Sequence, residues 1–464
     1  MAVSRRRMVA AAAAPLLVPR HVLGGPGYQA PSDTLAIAAV GIGGMGRNYL
    51  EGCKAEKIVA LCDLDHNYAA KVFDTYPNAR RYHDYREMFD KEEHNFDALI
   101  IATPDHTHAL LLMAAIRMKK HVYCAKPIAH SVGEVRKVRQ ALLANPAIVT
   151  KASVQDSRTD YARSTTELLL SGVLGPIREI HIWTFHPIYP AGLVRPAGTM
   201  TPPPGMNWDL WIGPAPFRPY HSAYHPANWR AWWDFGTADV GDMACHTLHA
   251  YFEELRLQAP AVIYGNRSTR WQDIARPLPT PETEGAANTV AWEYPARGNL
   301  PPLKMFFYDG GIKPFRPAEL DRSMALPNEG VLFVGDNGKL MAGYYGGNPF
   351  APNGRTPKPG TPPTHAGGLL LPAAKFKDFP QPPKTLPRCE MKDHYTEWIR
   401  SCKAGTKTVL PVEFACQMTE VALLGTLALR TEKLLEWDSA TMRVANTPGP
   451  NAFLDPPYRT GWTL

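Results

Sequence analysis

The sequence predicts an α/β protein of two domains, an N-terminal doubly wound parallel sheet followed by an α+β domain with a large, open sheet of mixed or antiparallel strands. The chain has 464 residues and 45% apolar content, enough for two cores at about 100–200 residues per domain. Short apolar runs alternate with amphipathic stretches up to residue 155. Beyond that point, several strand-like runs follow one another with few helices between them.

In the first domain, predicted for residues 34–155, the strands are short and apolar throughout. They are expected at residues 35–40, 58–62, 98–102, 121–124 and 147–150, with helices at 109–119 and 132–143. Strands that are apolar on both faces and separated by helices are typical of a parallel sheet covered on both sides.

The second domain is predicted for residues 156–464. Its strands are expected at 178–185, 261–263, 289–294, 303–308 and 330–334, and an apolar helical block at 412–435. Strands in succession favour one large sheet. Residues 346–388 are rich in proline and glycine and lack periodicity, which predicts a long loop.

Composition argues against several classes of partner. The formal charge is +7, but four arginines precede the first acid, Asp33, and subtracting them leaves +3, too little to indicate a nucleic-acid partner. The sequence contains no run of about 18 or more apolar residues, so it predicts no membrane span. The seven cysteines are odd in number and include no C-x-x-C pair, so they predict neither a disulfide framework nor a zinc site.

Residues 1–33 resemble an export signal and a linker. Arginines at positions 5–7 precede an apolar run over residues 9–18, a pattern typical of the twin-arginine signal. We therefore expect a periplasmic protein that folds before it is exported. The alternative is a disordered basic tail on a cytoplasmic protein.

A glycine motif follows the first predicted strand. The pattern G-x-G-x-x-G comprises Gly41, Gly43, Gly44, Met45 and Gly46. Such a turn lets the backbone approach a pyrophosphate at a helix N-terminus. Asp63, 22 residues after Gly41, stands where a carboxylate accepts hydrogen bonds from the adenosine ribose. The pattern predicts an NAD-binding site. NAD is favoured over NADP as the cofactor, because the Asp63 carboxylate would repel the 2′-phosphate of NADP. The alternative is a plain glycine turn with a capping aspartate.

The third and fourth strands end in polar residues. Ligands of open α/β sheets lie outside the carboxyl ends of the strands, so we expect Thr103, Pro104, His106, His108 and Lys126 near the nicotinamide. Lys126 can stabilise an oxygen that gains charge during hydride transfer. The alternatives are capping or packing for the two histidines and a surface position for the lysine.

These motifs resemble the glucose–fructose oxidoreductase / inositol dehydrogenase / rhizopine-catabolism (Gfo/Idh/MocA) family. The resemblance continues in W-R-A-W-W-D-F-G from Trp229, G-D-M-A-C-H from Gly241, L-L-E-W-D from Leu434 and Y-R-x-G-W from Tyr458. It implies an NAD-binding Rossmann domain, a sheet domain that supplies the substrate wall, a carbohydrate substrate, and a homo-oligomer, either a dimer or a tetramer. One position departs from the family pattern. The family usually reads Glu-Lys-Pro, whereas this chain has Ala125 before Lys126, so the carboxylate beside Lys126 is missing.

Asp239, Asp242, His246 and His249 fall within an arc of roughly 80° on one predicted helix. The resemblance implies that Asp242 and His246 meet the substrate. His246 would take the hydroxyl proton as a base, and Asp242 would orient the imidazole or bind a neighbouring hydroxyl. A metal site is a rival interpretation, although no metal is expected. A buried polar helix face is the preferred interpretation for Asp239 and His249.

An aromatic stretch fits a sugar pocket. Its members are Trp208, Trp211, Tyr220, Tyr224, Trp229, Trp232 and Trp233. Trp229 and Trp232 are candidates for stacking on a sugar, and packing within the protein is the alternative. Gln155, Arg158 and Tyr161 follow the fifth strand and are further candidates for substrate contact on position alone.

The expected activity is NAD-dependent oxidation of a sugar or glycoside by hydride transfer at a ring carbon. Free NAD is scarce outside the cytosol, so we expect a tightly bound cofactor that a second sugar or the same substrate reoxidises. In the latter case the alternative function is an NAD-dependent glycoside hydrolase or epimerase, with transient oxidation and no net redox change. A non-catalytic sugar-binding protein and a metal-dependent enzyme are further alternatives.

Overall fold

Two sheets organise the chain, as the sequence predicts. The computed structural model describes residues 33–154, 158–351, 364–389 and 394–464. Its first sheet has six strands and its second has nine, and a two-stranded ribbon lies apart from both. The export signal predicted for residues 1–33 lies outside the described residues, apart from Asp33.

The first sheet is parallel throughout. Its strands are β1 (Ala36–Val40), β2 (Lys57–Cys62), β3 (Arg80–Tyr82), β4 (Ala98–Ile101), β5 (His121–Ala125) and β6 (Thr150–Ser153). They pair in the order β3-β2-β1-β4-β5-β6. The order reverses between β1 and β4, which opens a crevice at the carboxyl ends of these two strands.

Helices connect these strands. They are α1 (Gly46–Gly52), α2 (Ala70–Thr75), α3 (Tyr85–Glu92), α4 (His108–Arg117) and α5 (Val132–Leu143). Helix α5 has the bounds that the sequence predicts because Ser131 accepts a hydrogen bond from the N–H of Glu134, whose carboxylate accepts one from the N–H of Ser131. This reciprocal capping fixes the first turn.

The structure adds one strand, β3, to those predicted and moves another toward the C-terminus. Strand β3 is an edge strand of polar sequence, and no apolar run marks it. The fifth predicted strand, 147–150, begins only at Thr150, which pairs with Val122 of β5. Strand β6 includes Lys151, whose buried ammonium pairs with Glu397 at 2.8 Å. The position of β3 thus depends on its pairing with β2, and that of β6 on its pairing with β5 and on the contact with Glu397.

The second half of the chain builds the nine-stranded sheet. Its strands are β7 (Ile177–Trp183), β8 (Val262–Arg267), β11 (Asn288–Tyr294), β12 (Leu303–Tyr308), β13 (Gly330–Gly335), β14 (Gly338–Ala342), β15 (Leu369–Leu371), β16 (Leu435–Asp438) and β17 (Arg443–Val444), and the ribbon is β9 (Arg270–Asp273) with β10 (Arg276–Leu278). Among the strands that the structure describes in this sheet, only β7 and β12 pair in parallel. The sheet is therefore mixed. Strand β15 lies inside the stretch 346–388 that was predicted to be a loop.

Six helices of the described residues accompany this sheet. They are α6 (Asp160–Leu170), α7 (Trp208–Ile212), α8 (Ala238–Met243), α9 (Cys245–Leu248), α10 (His394–Ala404) and α11 (Val412–Thr431). Helix α10 returns to the first sheet, where Trp398 and Ile399 share a core with Ile37 of β1. The C-terminal part of the chain thus completes the packing of the N-terminal sheet.

Helix α11 lies in the core. Among the described residues, it alone has the length and apolar content of a helix that could cross a membrane, and 78% of its most apolar stretch is buried inside the protein. It packs against α5 and β8. Burial against these two elements accounts for its apolar sequence.

All seven cysteines are buried and free. Their burial raises the pKa of thiols such as Cys53, to about 12, and so keeps the thiol protonated. This agrees with a chain that does not depend on disulfides.

The aromatic stretch forms a cluster around one buried cation. Arg218 is 3% exposed, and its guanidinium lies 5.0–5.7 Å from the ring centres of Tyr224, Trp232 and Phe235. It pairs with Asp234 and, at 3.3 Å, with Glu282. Most of the aromatic residues thus pack against one another and against this cation.

Replacing Arg218 with Met should destabilise the protein by about 3 kcal/mol, because a desolvated cation is lost and its carboxylate partners are left without it. Denaturant unfolding followed by fluorescence measures this cost. Arg195→Met is the matched control, because Arg195 also pairs with Glu282 but is 53% exposed; it should cost at most about 1 kcal/mol. Equal losses in the two variants would contradict the structural role of Arg218.

Candidate functional site

A cavity of about 500 Å³ lies at the crevice of the first sheet. It runs from the glycine turn after β1, past the ends of β4 and β5, to α8 and α9 of the second half. Its walls include Gly41, Asp63, Lys126, Asp242 and His246. Residues that the sequence assigned to cofactor and to substrate therefore share one cavity.

The glycine turn has the geometry that a dinucleotide requires. Gly41 has φ of +81°, and a Cβ there would lie 2.7 Å from the backbone of Ala102. A Cβ on Gly46 would lie 2.3 Å from the carbonyl oxygen of Gly41. Gly44 and Met45 line the cavity. Close packing of the turn against the end of β4 and against α1 thus requires glycine at Gly41 and Gly46. Because Gly41 and Gly44 also line the cavity, the turn fits a pyrophosphate at the start of α1.

Asp63 lies at the end of β2 and closes the turn. Its carboxylate accepts hydrogen bonds from the N–H groups of Gly43, at 2.9 Å, and Asp65, at 3.0 Å. Burial raises the pKa of Asp63 to about 6, so the group is ionised at neutral pH. Each oxygen keeps a lone pair for a ribose hydroxyl. These residues fit the adenosine end of NAD.

Lys126 and Asp242 form an ion pair across the cavity. The ammonium of Lys126 donates to the Asp242 carboxylate and, at 2.7 Å, to its backbone oxygen. Burial opposes the charge on both, yet Asp242 raises the pKa of Lys126, and Lys126 with Arg230 holds the pKa of Asp242 at about 2. Lys126 thus receives a carboxylate partner from the other half of the chain.

His246 lies one helical turn beyond Asp242. The helix continues through Ala244, with φ of −58° and ψ of −34°, so both side chains reach the cavity. Burial, with the Lys126 charge next, lowers the pKa of His246 well below its ordinary value. The imidazole is therefore neutral, and its Nδ1 has no partner among the described residues.

The residues at the end of β4 divide into two groups. Thr103 and Pro104 line the cavity. His106 does not; it is 2% exposed, and its Nε2 lies 3.0 Å from the backbone oxygen of Trp211. His108 is buried too, and its ring nitrogens approach the backbone oxygens of Pro127, at 2.6 Å, and Thr103, at 2.8 Å. The two histidines thus hold the loops around the cavity and have no contact with it.

The substrate candidates are also divided. Trp229 lines the cavity, with Arg230 stacked on its ring at 4.4 Å. Trp232 is fully buried in the aromatic cluster, where it donates to the oxygen of Ala223, and it is not part of the cavity wall. Arg158 and Tyr161 also lie outside that wall, and Gln155 lies outside the described residues.

Several cavity residues carry no signal in the sequence. Asp105 accepts a hydrogen bond from Thr237, and burial, with the Asp242 charge next, raises the pKa of Asp105 to about 7. His186 and Tyr189 line the cavity from the segment after β7. That segment is rich in proline and has no periodicity, so nothing in its sequence places it at the crevice.

The metal alternative gains no support from the structure. Among the described residues, no three His, Cys, Asp or Glu side chains are placed to hold a metal ion. Asp239 and His249 are buried behind the helix face, which is where the preferred interpretation put them.

Replacing Asp242 with Asn should lower the pKa of Lys126. The anion that raises this pKa is lost, while burial and the charge of Arg230, both of which lower it, remain. A titration of ¹³C-labelled lysine by NMR measures the change, with Lys126→Met for assignment. Asp455→Asn removes a carboxylate from the exposed Lys137 pair and should leave Lys126 unchanged. An unaltered Lys126 pKa in Asp242→Asn would refute the pairing.

Two family models match the chain. One, described as the oxidoreductase family, NAD-binding Rossmann fold, matches residues 35–152. The other, the C-terminal alpha/beta domain of an oxidoreductase family, matches residues 187–256. The inositol 2-dehydrogenase of Rubrobacter xylanophilus is 33% identical over 114 residues, 24% of this chain and 32% of that protein. The chain thus spans about a third of the length of the first curated relatives it matches.

Solved structures show the same fold. The WlbA dehydrogenase from Bordetella pertussis, in complex with NADH and UDP-GlcNAcA, has a TM-score of 0.55 at 14% identity and covers 87% of this chain and 99% of its own. The aldose–aldose oxidoreductase from Caulobacter crescentus, complexed with glycerol, has a TM-score of 0.53 at 15% identity, with 87% and 100% covered. Two parts of the chain, residues 35–152 and 187–256, are thus similar to the NAD-binding and the C-terminal domain of the Gfo/Idh/MocA oxidoreductase family.

Proposed function

We propose that the protein is an NAD-dependent oxidoreductase that acts on a sugar or glycoside by hydride transfer at a ring carbon. One observation carries this proposal: a single cavity joins the glycine turn and Asp63 to Lys126, Asp242 and His246. The relatives named inositol 2-dehydrogenase support a polyhydroxylated ring as the substrate. A carbohydrate is therefore the proposed partner.

The chain supplies binding and charge at this site. NAD, bound at the turn, would accept the hydride from the substrate carbon. Lys126, kept cationic by Asp242, would stabilise the substrate oxygen, and Asp242 would hold that ammonium in place. His246 is neutral and within the same cavity, so it would bind the substrate hydroxyl and is the base that the sequence predicts.

We also propose that the cofactor is tightly held. Residues 204–227, called here the covering segment, lie over the chain that follows Asp63. The N–H of Asn207 donates to the oxygen of Leu64, and that of His66 to the oxygen of Gly205. The covering segment must separate from these residues before a nucleotide at this end of the cavity can leave, which would slow release.

A second pairing secures the covering segment. His225 Nε2 lies 3.0 Å from the Asp65 carboxylate, and both residues are buried. His225 also meets the ring of Tyr68 edge to face at 5.8 Å, and Tyr68 itself lines the cavity beside the glycine turn. The contact therefore lies directly beside the proposed adenosine site.

We also propose that the protein is exported and forms an oligomer. A twin-arginine route would deliver a folded protein with its nucleotide already enclosed to the periplasm; replacing Arg5, Arg6 and Arg7 with lysine should then retain it in the cytoplasm on fractionation. A dimer or tetramer would use the outer face of the second sheet, where the His181 ring stacks on Phe306 at 4.8 Å. Sedimentation of the full chain tests the assembly.

A redox-neutral glycoside hydrolase or epimerase is the second candidate. The observation that favours it is a second imidazole, His186, in the same cavity as His246, because cleavage after transient oxidation requires proton transfer at two positions of the substrate. Release of aglycone without net NADH would decide for this candidate, and accumulation of NADH would decide against it.

The principal test has two parts. Mass spectrometry of small molecules released on denaturation should find NAD. Incubation with a panel of sugars, polyols and glycosides should then reduce it, as measured by NADH absorbance. Purified protein that lacks NAD and does not bind it would refute the proposal and favour a non-catalytic sugar-binding protein.

Asp63→Asn should weaken NAD binding by about tenfold, because a charged acceptor is lost, and should narrow the preference for NAD over NADP, because the repulsion of a 2′-phosphate is removed. Titration calorimetry with both nucleotides measures this. Asp74→Asn, at an exposed carboxylate one helix away, is the control and should match the wild type. An undiminished preference in Asp63→Asn would contradict the assignment.

His225→Ala should accelerate NAD dissociation by about tenfold, the effect of losing one hydrogen bond to a carboxylate. Exchange of bound NAD against labelled NAD measures the rate. His221→Ala alters the same segment without touching Asp65 and should leave the rate unchanged. Equal rates in wild type and His225→Ala would show that the covering segment does not retain the nucleotide.

A further inference from the structure

Arg230 places a guanidinium at the substrate end of the cavity. It lies on the turn Asn228–Ala231 and lines the same cavity as Lys126 and His246. Its side chain is 31% exposed, compared with 19% for Lys126 and 16% for Asp242. Among the described charged side chains at this end of the cavity, the guanidinium of Arg230 is therefore the most open to a ligand.

Two contacts hold this guanidinium in place. Its Cζ lies 4.4 Å from the ring centre of Trp229, and its Nη1 donates to the backbone oxygen of Ala227 at 3.2 Å. The backbone at Arg230 is also closely packed, because a Cβ on Gly236 would lie 2.1 Å from the Arg230 carbonyl oxygen. Arg230 therefore meets a ligand as a preorganised group, which lowers the entropy cost of binding.

Most donors of the Arg230 guanidinium are available to a ligand. A guanidinium has five N–H groups. One of them donates to Ala227, and the Nε that carries another lies 3.6 Å from Oδ2 of Asp242, which is too far for a hydrogen bond. Nη2 makes no hydrogen bond to any residue that the structure describes. The edge formed by Nη1 and Nη2 can therefore receive an anion.

The charges at this end of the cavity do not cancel. Lys126 and Arg230 are both cations, and Asp242 is the carboxylate that they share. Burial, with the Asp242 charge next, raises the pKa of Asp105 to about 7, so Asp105 carries only part of a negative charge at neutral pH. Burial lowers the pKa of the two imidazoles at this end, which are therefore neutral. A net positive charge remains, and it favours a ligand of the opposite sign.

Lys126 is not the cation that lacks a partner. Its ammonium donates to the carboxylate and to the backbone oxygen of Asp242, and the proposed function assigns its third N–H to the reacting oxygen. Arg230 has no such commitment, since its contact with Asp242 is longer and its outer edge is open. The surplus charge therefore belongs to Arg230.

We propose that the substrate is an acidic sugar and that Arg230 binds its carboxylate. This rests on the proposed oxidoreductase function, because it names the class of sugar that the same cavity takes. A carboxylate fits better than a phosphate monoester, since it carries a single negative charge and its two coplanar oxygens match the guanidinium fork. Uronic acids and their glycosides combine such a carboxylate with a polyhydroxylated ring.

The first experiment measures binding and requires no turnover. Titration calorimetry of the full chain, with NAD present, compares glucose with glucuronate, galactose with galacturonate and mannose with mannuronate. At least one uronate should bind about tenfold more tightly than its neutral partner, and added salt should reduce the difference. Equal affinities within every pair, or no binding of any uronate, would overturn the proposal.

Substitutions then assign the preference to Arg230. Arg230→Gln should remove the difference between a uronate and its neutral partner, whereas Arg230→Lys, which keeps the charge but loses the fork, should retain part of it. Arg178→Gln, at an exposed ion pair, is the control and should retain all of it. Thermal unfolding of each variant excludes a loss caused by misfolding. A preference that survives in folded Arg230→Gln would overturn the assignment.

Two further measurements separate the nature of the anion from the redox function. Galactose 6-sulfate carries one negative charge on a tetrahedral group, and tighter binding of this ester than of galacturonate would overturn the choice of a carboxylate. NADH absorbance in the same panel reports oxidation. Uronate binding that depends on Arg230 but yields no NADH would uphold the carboxylate site and count against the proposed oxidation. Oxidation of neutral sugars alone would support that function and overturn the acidic substrate.

Discussion

The ion pair between Lys126 and Asp242 is the contact on which the rest of the site depends. Lys126 directly follows β5 of the first sheet, and Asp242 lies on helix α8 of the second half. A buried charge without a partner is costly, so each half of the chain supplies what the other requires. The cationic oxygen site exists only when the two halves are packed together.

Both halves of the chain also contribute to the nucleotide end of the cavity. The first sheet provides the glycine turn, and the second half provides the covering segment, which is held to Asp65 through His225. The aromatic cluster around Arg218 gives that segment its shape. Most of those rings are scaffold, and Trp211 and Trp229 are the members that reach the cavity wall.

Burial also separates the acidic groups near the cavity into two kinds. Asp242 remains ionised because cations adjoin it, whereas Asp239 and Glu284 lie among other acids and favour the protonated form. Two carboxyl groups three residues apart on one helix thus differ in charge, one being ionised beside a cation and the other favouring the neutral form. The difference arises from their neighbours, since the side chains are chemically the same.

Local sequence was enough to determine the glycine turn, Asp63, the lysine at the end of β5 and the spacing of Asp242 and His246, because each depends on a strand end or on one helical turn. The parallel sheet and the change to a large mixed sheet were likewise visible in apolar periodicity. Only the tertiary structure decided that Trp232 is buried, that His106 and His108 hold loops, that β6 begins at Thr150, and that His186 enters the cavity. These outcomes depend on contacts between segments far apart along the chain, and no periodicity or spacing within one segment records such contacts.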